Sequence, residues 1–386
     1  MSTGLLLVVL VVITALIFDF TNGFHDSANA MATSIATGAL RPRVAVGLGA
    51  VLNVAGAFLS TAVAKTISGG IVDDALVTPQ MVFAGLAGAI LWNLTTWLFG
   101  LPSSSSHALF GGLIGAVLVG AGVSGVNPSV IVSKILLPAV IAPVVAGLAA
   151  ALAVWCADRI TRRLSRERAE AGFRRAQPFT GGMVALAHGT SDGQKTMGVI
   201  TLVLITSGYQ ESGTGPQSWV VLAAGLAIGL GTFSGGWRIM RTMGHGLVAV
   251  DSRQGFAAEA SSTASILASS HLGIGLSTTQ VVSGAIVGVG LGRKDAQVHW
   301  RVAGRMGIAW LLTLPAAGVV GGLATLLTEQ GPLGVAIVFL LLAAGSLGIW
   351  LISRRNRVTH ANVGDSDEVL VLAEPQTGAK ESVSAG

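Results

Sequence analysis

The chain has 386 residues, 52% of them hydrophobic and 11% charged, with a mean hydropathy of +0.73. That much apolar surface exceeds what one soluble core can bury, so the chain reads as a polytopic membrane protein. The net charge of +5 is concentrated between Arg159 and Arg175, which fits membrane topology and argues against a nucleic-acid partner, and the single Cys156 excludes an intrachain disulfide or a thiolate metal cluster.

The first apolar run, Leu5 to Phe18, has no basic segment ahead of it and is expected to remain in the bilayer as part of a crossing at 5–38. Its polar end reads Asn22-Gly23-Phe24-His25-Asp26-Ser27-Ala28-Asn29-Ala30-Met31-Ala32-Thr33, which puts a carboxylate inside membrane sequence. Arg41 and Arg43 mark the cytoplasmic side; 44–66 then crosses outward to Asp73-Asp74, and 79–121 enters and leaves on the outer side as a hairpin. Within that hairpin, Leu101-Pro102-Ser103-Ser104-Ser105-Ser106-His107 interrupts the apolar run before Gly111 and Gly115. After the uncharged loop Ser124-Gly125-Val126-Asn127, 130–156 crosses inward, and 157–178 is expected as a basic cytoplasmic linker.

The segment 180–206 crosses outward and carries His188-Gly189-Thr190-Ser191-Asp192-Gly193-Gln194-Lys195-Thr196-Met197-Gly198-Val199. Next, 217–236 crosses inward, and 236–255, with Arg238, Arg241, His245 and Asp251 among apolar residues, is expected to lie along the inner surface as an amphipathic helix. A second hairpin, 256–291, enters and leaves on the inner side and contains Ile274-Gly275-Leu276-Ser277-Thr278-Thr279-Gln280 ahead of Gly284 and Gly288. The chain then crosses outward at 303–327 and inward at 333–353. The tail 354–386, with Asp365, Asp367 and Glu368, reads as disordered and cytoplasmic.

The two halves repeat each other. Gly23, Asp26 and Met31 recur as Gly189, Asp192 and Met197, each 166 positions on, and the hydroxyl runs of the hairpins recur at an offset of 173. Three crossings per half is an odd number, so the second copy is inverted. The expected fold is all-α: inverted repeats at 1–156 and 179–327, each with three crossings and a re-entrant helical hairpin, joined by the linker and followed by one additional C-terminal crossing at 328–353.

Pro102 and Gly275 break the hairpins, and each hydroxyl run that follows looks like a half-helix N-terminus. Unpaired first-turn N–H groups, the positive end of the helix dipole and the hydroxyls of Ser104, Ser105, Ser106, Ser277, Thr278 and Thr279 together suit a tetrahedral oxyanion. Asp26 and Asp192, expected at glycine-marked breaks in their helices, would repel it unless they accept the proton of a protonated oxyanion or hold a cation that travels with it. The first option favours phosphate over sulfate, and the second supplies coupling through H⁺, Na⁺ or a divalent ion. Asn29, Gln194 and Lys195 are further substrate-binding candidates, the lysine as a counter-charge; Asn22, His25 and His188 join Asp26 and Asp192 as coupling-ion candidates. His107 is open to structural and functional readings, and Glu259, which has no acidic counterpart, to buried support or proton relay. Asn53 and Asn93 are expected to bridge helices, and Gly111, Gly112, Gly115, Gly284 and Gly288 to mark close packing.

The runs Asn22–Ala30, Pro102–Ala108 and His188–Gly198, in this order and with both hairpins, resemble signatures of the inorganic phosphate transporter (PiT) family over roughly residues 5–353. The resemblance implies secondary active phosphate uptake by alternating access, with no enzymatic activity and no resident cofactor, and a site made of the two Asp motifs and the hairpin turns. The Gly-Phe-His-Asp form of the first motif is similar to bacterial low-affinity carriers, which implies proton coupling and phosphate carried as a neutral metal-phosphate complex. His25 and Ser191 stand where many members have Asn, which favours H⁺ over Na⁺ as the coupling cation. The implied partners are inorganic phosphate and the lipid bilayer of the plasma (inner) membrane, with the N-terminus outside and the C-terminus cytoplasmic; the small-residue helices would permit a homodimer. The competing readings are a sulfate permease of the same fold, a passive anion channel, which would not need two buried acids and a lysine, and a membrane-embedded lipid phosphate phosphatase, which would need an Arg that the core motifs lack.

Overall fold

In a bilayer each backbone polar group must be satisfied within its own segment or by neighbouring protein, and this chain meets that demand with helices. The computed structural model describes residues 3–293 and 298–364. Among the described residues there are fourteen α-helices, and the only extended pairings are two isolated bridges, Val72 with Val126 and Val248 with Val298.

The first half begins with α1 (Thr3–Ala36). Helix α2 (Pro42–Ala57) starts on a proline, which needs no N–H partner there, and ends at Phe58. Helix α3 (Ala62–Thr66), extended by a π-helical stretch Ile67–Ile71, leaves α2 at 62°, so the straight crossing expected at 44–66 is a broken one. Helices α4 (Pro79–Leu98) and α5 (Ser105–Gly120) form the first hairpin. Helix α6 (Pro128–Ile131) runs through a π-helical stretch into α7 (Leu137–Thr161), which makes one apolar span Pro128–Thr161.

The second half repeats this order. Helix α8 (Arg166–Thr206) is followed by α9 (Ser218–Ser234) and α10 (Trp237–Arg241), with a 62° bend between the last two. Helices α11 (Ser252–His271) and α12 (Thr278–Leu291) form the second hairpin, α13 (Trp300–Thr328) corresponds to α6 and α7, and α14 (Pro332–Ser353) is the additional C-terminal helix. The packing partners are exchanged between the halves. Helix α1 packs on α9 as α8 packs on α2; α5 packs on α13 as α12 packs on α7; α4 packs on α13 as α11 packs on α7. The two repeats are therefore interlocked.

Glycines permit these crossings. A Cβ on Gly23 or Gly231 would collide with the carbonyl oxygen of Ile228 or Phe20 where α1 crosses α9, and a Cβ on Gly189 or Gly56 would collide with Asn53 or Leu186 where α8 crosses α2. The hairpin glycines behave likewise: Gly111 and Gly115 meet Leu314 and Gly318, while Gly284 and Gly288 meet Pro143 and Gly147. The expectation of close packing at these positions holds, and it extends to the glycine of each Asp motif. Gly23 and Gly189 do not break their helices. Both α1 and α8 run unbroken through Asp26 and Asp192, because the glycine is needed for backbone approach.

Further expectations are corrected. The basic stretch 157–178, expected as a linker, is largely helical, since α7 reaches Thr161 and α8 begins at Arg166 with Ser165 as its N-cap. Residues 236–255 do not lie on a surface: Ile239, Met240 and Met243 are buried against α1, and α11 has already started at Ser252. The tail is folded from its start to Gly364, because Arg238 donates to the carbonyls of Ser353 and Asn356, and Arg241 to that of Asn362 at 2.8 Å. Its remainder, with Asp365, Asp367 and Glu368, lies outside the described residues, as does Lys294.

The periphery is apolar, as lipid requires: Leu148, Leu152, Leu311, Leu323, Leu340 and Leu351 are exposed. Helix α8 is the reverse, with a polar middle wholly enclosed by protein. Loops expected on one side meet there: Ser212 donates to Asp74 at 2.6 Å, and Val72 bridges Val126. At the other end Arg253 pairs with Asp158 at 2.6 Å and Glu170 at 3.4 Å.

Gly189→Ala drives its methyl into backbone that cannot move aside, and is expected to cost about 1–3 kcal/mol or more. Gly47→Ala, with open space around it, is expected to be neutral or stabilising. Thermal unfolding of the two variants in detergent checks the contrast.

Candidate functional site

The continuous helices α1 and α8 bring their carboxylates to the tips of both hairpins. Each hairpin tip is an N-cap: Ser104 Oγ accepts from the His107 N–H at 3.1 Å, and Ser277 Oγ accepts from the Gln280 N–H at 3.3 Å. These two serines, read from sequence as substrate ligands, hold the α5 and α12 N-termini in place. The next residues face the acids. Ser105 Oγ donates to Asp26 Oδ2 at 2.7 Å, Thr279 to Asp26 Oδ1 at 3.3 Å, and Thr278 lies 3.5 Å from Asp26 and 3.4 Å from Asp192. Asn29 Nδ2 donates to Thr279 Oγ1 at 3.0 Å. Ser106 Oγ donates to the Leu276 carbonyl at 3.3 Å, so the two hairpin tips touch each other.

Lys195 joins these parts. Its Nζ lies 2.6 Å from Asp192 Oδ1, 2.9 Å from the Leu276 carbonyl and within hydrogen-bond reach of Ser106, so one ammonium ties α8 to both hairpins. Asp26, Asp192, Lys195, Ser105, Ser106, Thr278 and Thr279 are each exposed by 1% or less. A group placed here leaves or enters only if the surrounding helices move.

The histidines differ from each other. His25 Nδ1 is 2.6 Å from Asp26 Oδ1, and its Nε2 is 3.3 Å from the hydroxyls of Thr96 and Ser103, which secures α1 to the first hairpin. His188 is held from behind. Asn53 Nδ2 donates to Thr232 at 2.8 Å, and Thr232 spends its own proton on the Ile228 carbonyl at 2.9 Å, so Asn53 must present its oxygen to His188 Nδ1, 2.9 Å away. His188 Nδ1 therefore carries a proton. Nε2 then faces Asp26 at 3.8 Å and Asp192 at 3.6 Å with no hydrogen bond. An unpartnered ring nitrogen aimed at two carboxylates calls for a cation or a proton between them. One ligand atom from each of Asp26, His188 and Asp192 falls within 4.8 Å of the others, a nitrogen and oxygen set that fits a divalent ion.

Other candidates stand apart. Gln194 accepts from the N–H groups of Val63 at 2.7 Å and Ala64 at 3.3 Å and donates one amide hydrogen to the Thr190 carbonyl, so it caps α3. Asn22 is buried without a hydrogen bond. Asn53 bridges α2, α8 and α9 as expected, whereas the buried side-chain amide of Asn93 makes no hydrogen bond among the described residues. Glu259 accepts from Thr33 and Ser34 at 2.7 Å each, from Thr180, and from Gln177 at 3.4 Å, which ties α1, α8 and α11 together. Sequence reasoning missed Asp19, a fully buried acid on α1 with no counterpart in the second repeat.

The sequence matches the Phosphate transporter family over residues 22–321. A probable low-affinity inorganic phosphate transporter of Mycobacterium bovis is 52% identical, the alignment covering 98% of this chain and 92% of that protein. One of Bacillus subtilis is 40% identical over 84% of this chain and 98% of its own. Among solved structures, a sodium-dependent phosphate transporter superposes with a TM-score of 0.74 at 25% identity, covering 84% of this chain and 99% of that one.

Lys195→Met leaves Asp192 buried without its ammonium and is expected to cost about 3–5 kcal/mol. Asp192→Asn combined with Lys195→Met should recover much of that loss. Thermal unfolding in detergent of the single and double variants reads the difference.

Proposed function

The chain belongs to the Phosphate transporter family, and from that premise we propose that it is a secondary active symporter that imports inorganic phosphate across the plasma membrane by alternating access. The observation that carries this reading is the meeting of two half-helix N-termini with two buried carboxylates around one lysine. The first-turn N–H groups at Ser105, Ser106, Thr278 and Thr279 have no intrahelical acceptor and are the anion donors of the site, with the hydroxyls of the same residues beside them. A phosphate that keeps one or two protons can donate to Asp26 or Asp192 while its other oxygens accept from Lys195, the hydroxyls and Asn29. Sulfate has no proton to give, which favours phosphate.

Cation coupling rests on charge. Asp26 and Asp192 with phosphate outnumber Lys195, and net charge sealed into a low-dielectric centre is costly. A proton shared by the carboxylates and His188, or a divalent ion carried as cargo by Asp26, His188 and Asp192 together with phosphate, lowers that cost. The gate is then electrostatic: the repeats move past one another only when the centre is neutral, which couples the two cargoes. The Gly23 and Gly189 crossings keep α1 and α8 in register with their partners while they move. The loops around Asp74 and Ser212, which carry no basic residue, face outside and the arginine clusters face the cytoplasm, with the N-terminus outside and the C-terminus inside.

Radiolabelled phosphate uptake into proteoliposomes, under a pH gradient or a Na⁺ gradient imposed separately, tests the proposal. Uptake driven by a cation gradient and reduced at least tenfold in Asp26→Asn and in Asp192→Asn is the expected result. Sulfate uptake in place of phosphate, or phosphate flux indifferent to either gradient, would contradict it.

A further inference from the structure

Asp19 is 0% exposed, and neither carboxylate oxygen has a hydrogen-bond partner among the described residues. It lies seven residues before Asp26, about 10 Å away along the same face of α1. Two other buried polar side chains act on its carboxylate without a hydrogen bond of normal geometry: Asn22, one turn further along α1, and Thr196, on α8 next to Lys195. Asp192 and Lys195 are its charged neighbours. Both carboxylate oxygens, the Asn22 amide and the Thr196 hydroxyl are thus buried neighbours, and none of them makes a hydrogen bond of normal geometry.

We propose that Asp19, Asn22 and Thr196 form a cation site separate from the Asp26, His188 and Asp192 set, and that it takes a dehydrated monovalent ion of the size of Na⁺. The donors are all hard oxygens, the class that alkali and alkaline-earth ions select. One carboxylate and two neutral oxygens balance a single charge, whereas a divalent ion would leave excess positive charge beside Lys195. Mg²⁺ is further disfavoured because it keeps several waters, and this site lies wholly inside protein. None of the three side chains makes a hydrogen bond of normal geometry, and an ion seated among them would give their oxygens a common partner.

The position gives the site a task. The residue 166 positions after Asp19 is Ala185, and the residue 166 positions before Lys195 is Asn29, so the first repeat carries an acid where the second is neutral, and the second carries the lysine. An ion at Asp19 neutralises the extra acid where it lies, which leaves Lys195 to Asp192. This role in transport rests on the proposed phosphate symport; the binding of the ion does not.

Equilibrium binding of ²²Na⁺ to the purified full-length protein in detergent, without phosphate, tests the site. The wild type is expected to bind Na⁺ in a manner displaced by unlabelled Na⁺ and not by equal K⁺. Asp19→Asn should weaken that binding at least tenfold, and Thr196→Val by about threefold to tenfold. Should Asp19→Asn not yield a monodisperse protein, Thr196→Val, which keeps every charge, decides the matter. Isotherms of both variants that superpose on the wild type overturn the proposal, as does a wild type that binds no Na⁺. Phosphate uptake by the same preparations is scored separately: Na⁺ binding lost in Asp19→Asn without wild-type phosphate uptake would uphold the site and sink the symport reading.

Discussion

A carboxylate inside a bilayer has to be surrounded, and the structure is arranged around surrounding two of them. Asp26 and Asp192 lie on long helices that would otherwise be lipid-spanning, and each must be enclosed by protein and given donors. The donors come from the hairpin tips. A re-entrant hairpin is the device that brings a helix N-terminus, with its free N–H groups and hydroxyls, into the middle of a membrane, where ordinary spanning helices present only satisfied backbone. Lys195 then links the acid of one repeat to both tips. Helix caps, the lysine and the histidines are all consequences of having placed negative charge where water cannot reach it.

Enclosure at this density requires backbones to touch. The glycine of each Asp motif lies where another helix crosses, and the partner helix supplies a glycine in return: Gly23 with Gly231, Gly189 with Gly56. The hairpin inner arms meet the last helix of the opposite repeat through the same small-residue contacts. Each of these contacts has a counterpart with the repeats exchanged, which is the symmetry that the proposed alternating access would use.

Much of this is legible in the sequence, because duplication writes the same constraint twice. The spacing of Asp26 and Asp192, the two hydroxyl runs and the hairpin glycines each appear in pairs, and the structure brings the residues between those pairs together. What is not legible is direction. Gly23 reads equally well as a helix break or as a crossing point, and only the neighbouring helix decides. Ser104 and Ser277 belong to the same hydroxyl runs as Ser105 and Thr278, yet a step of one residue makes the former caps and the latter donors to the acids. Gln194 looks like a site amide until α3, broken from α2, needs a cap. Asp19 has no partner 166 positions on, so a search by repetition passes over it. The folded start of the tail depends on Arg238 and Arg241 in a distant segment, which composition cannot report.

The central claim is that one anion binds between the two half-helix N-termini, against both carboxylates and Lys195. Arsenate is isosteric with phosphate and its arsenic scatters X-rays anomalously, so a crystal of the protein grown with arsenate locates the anion without reference to the fitted atoms. The account predicts a single anomalous peak within contact distance of the N–H groups of Ser105, Ser106, Thr278 and Thr279 and of the Lys195 ammonium. A peak confined to the arginine clusters at the cytoplasmic end, with none at the hairpin tips, would contradict it.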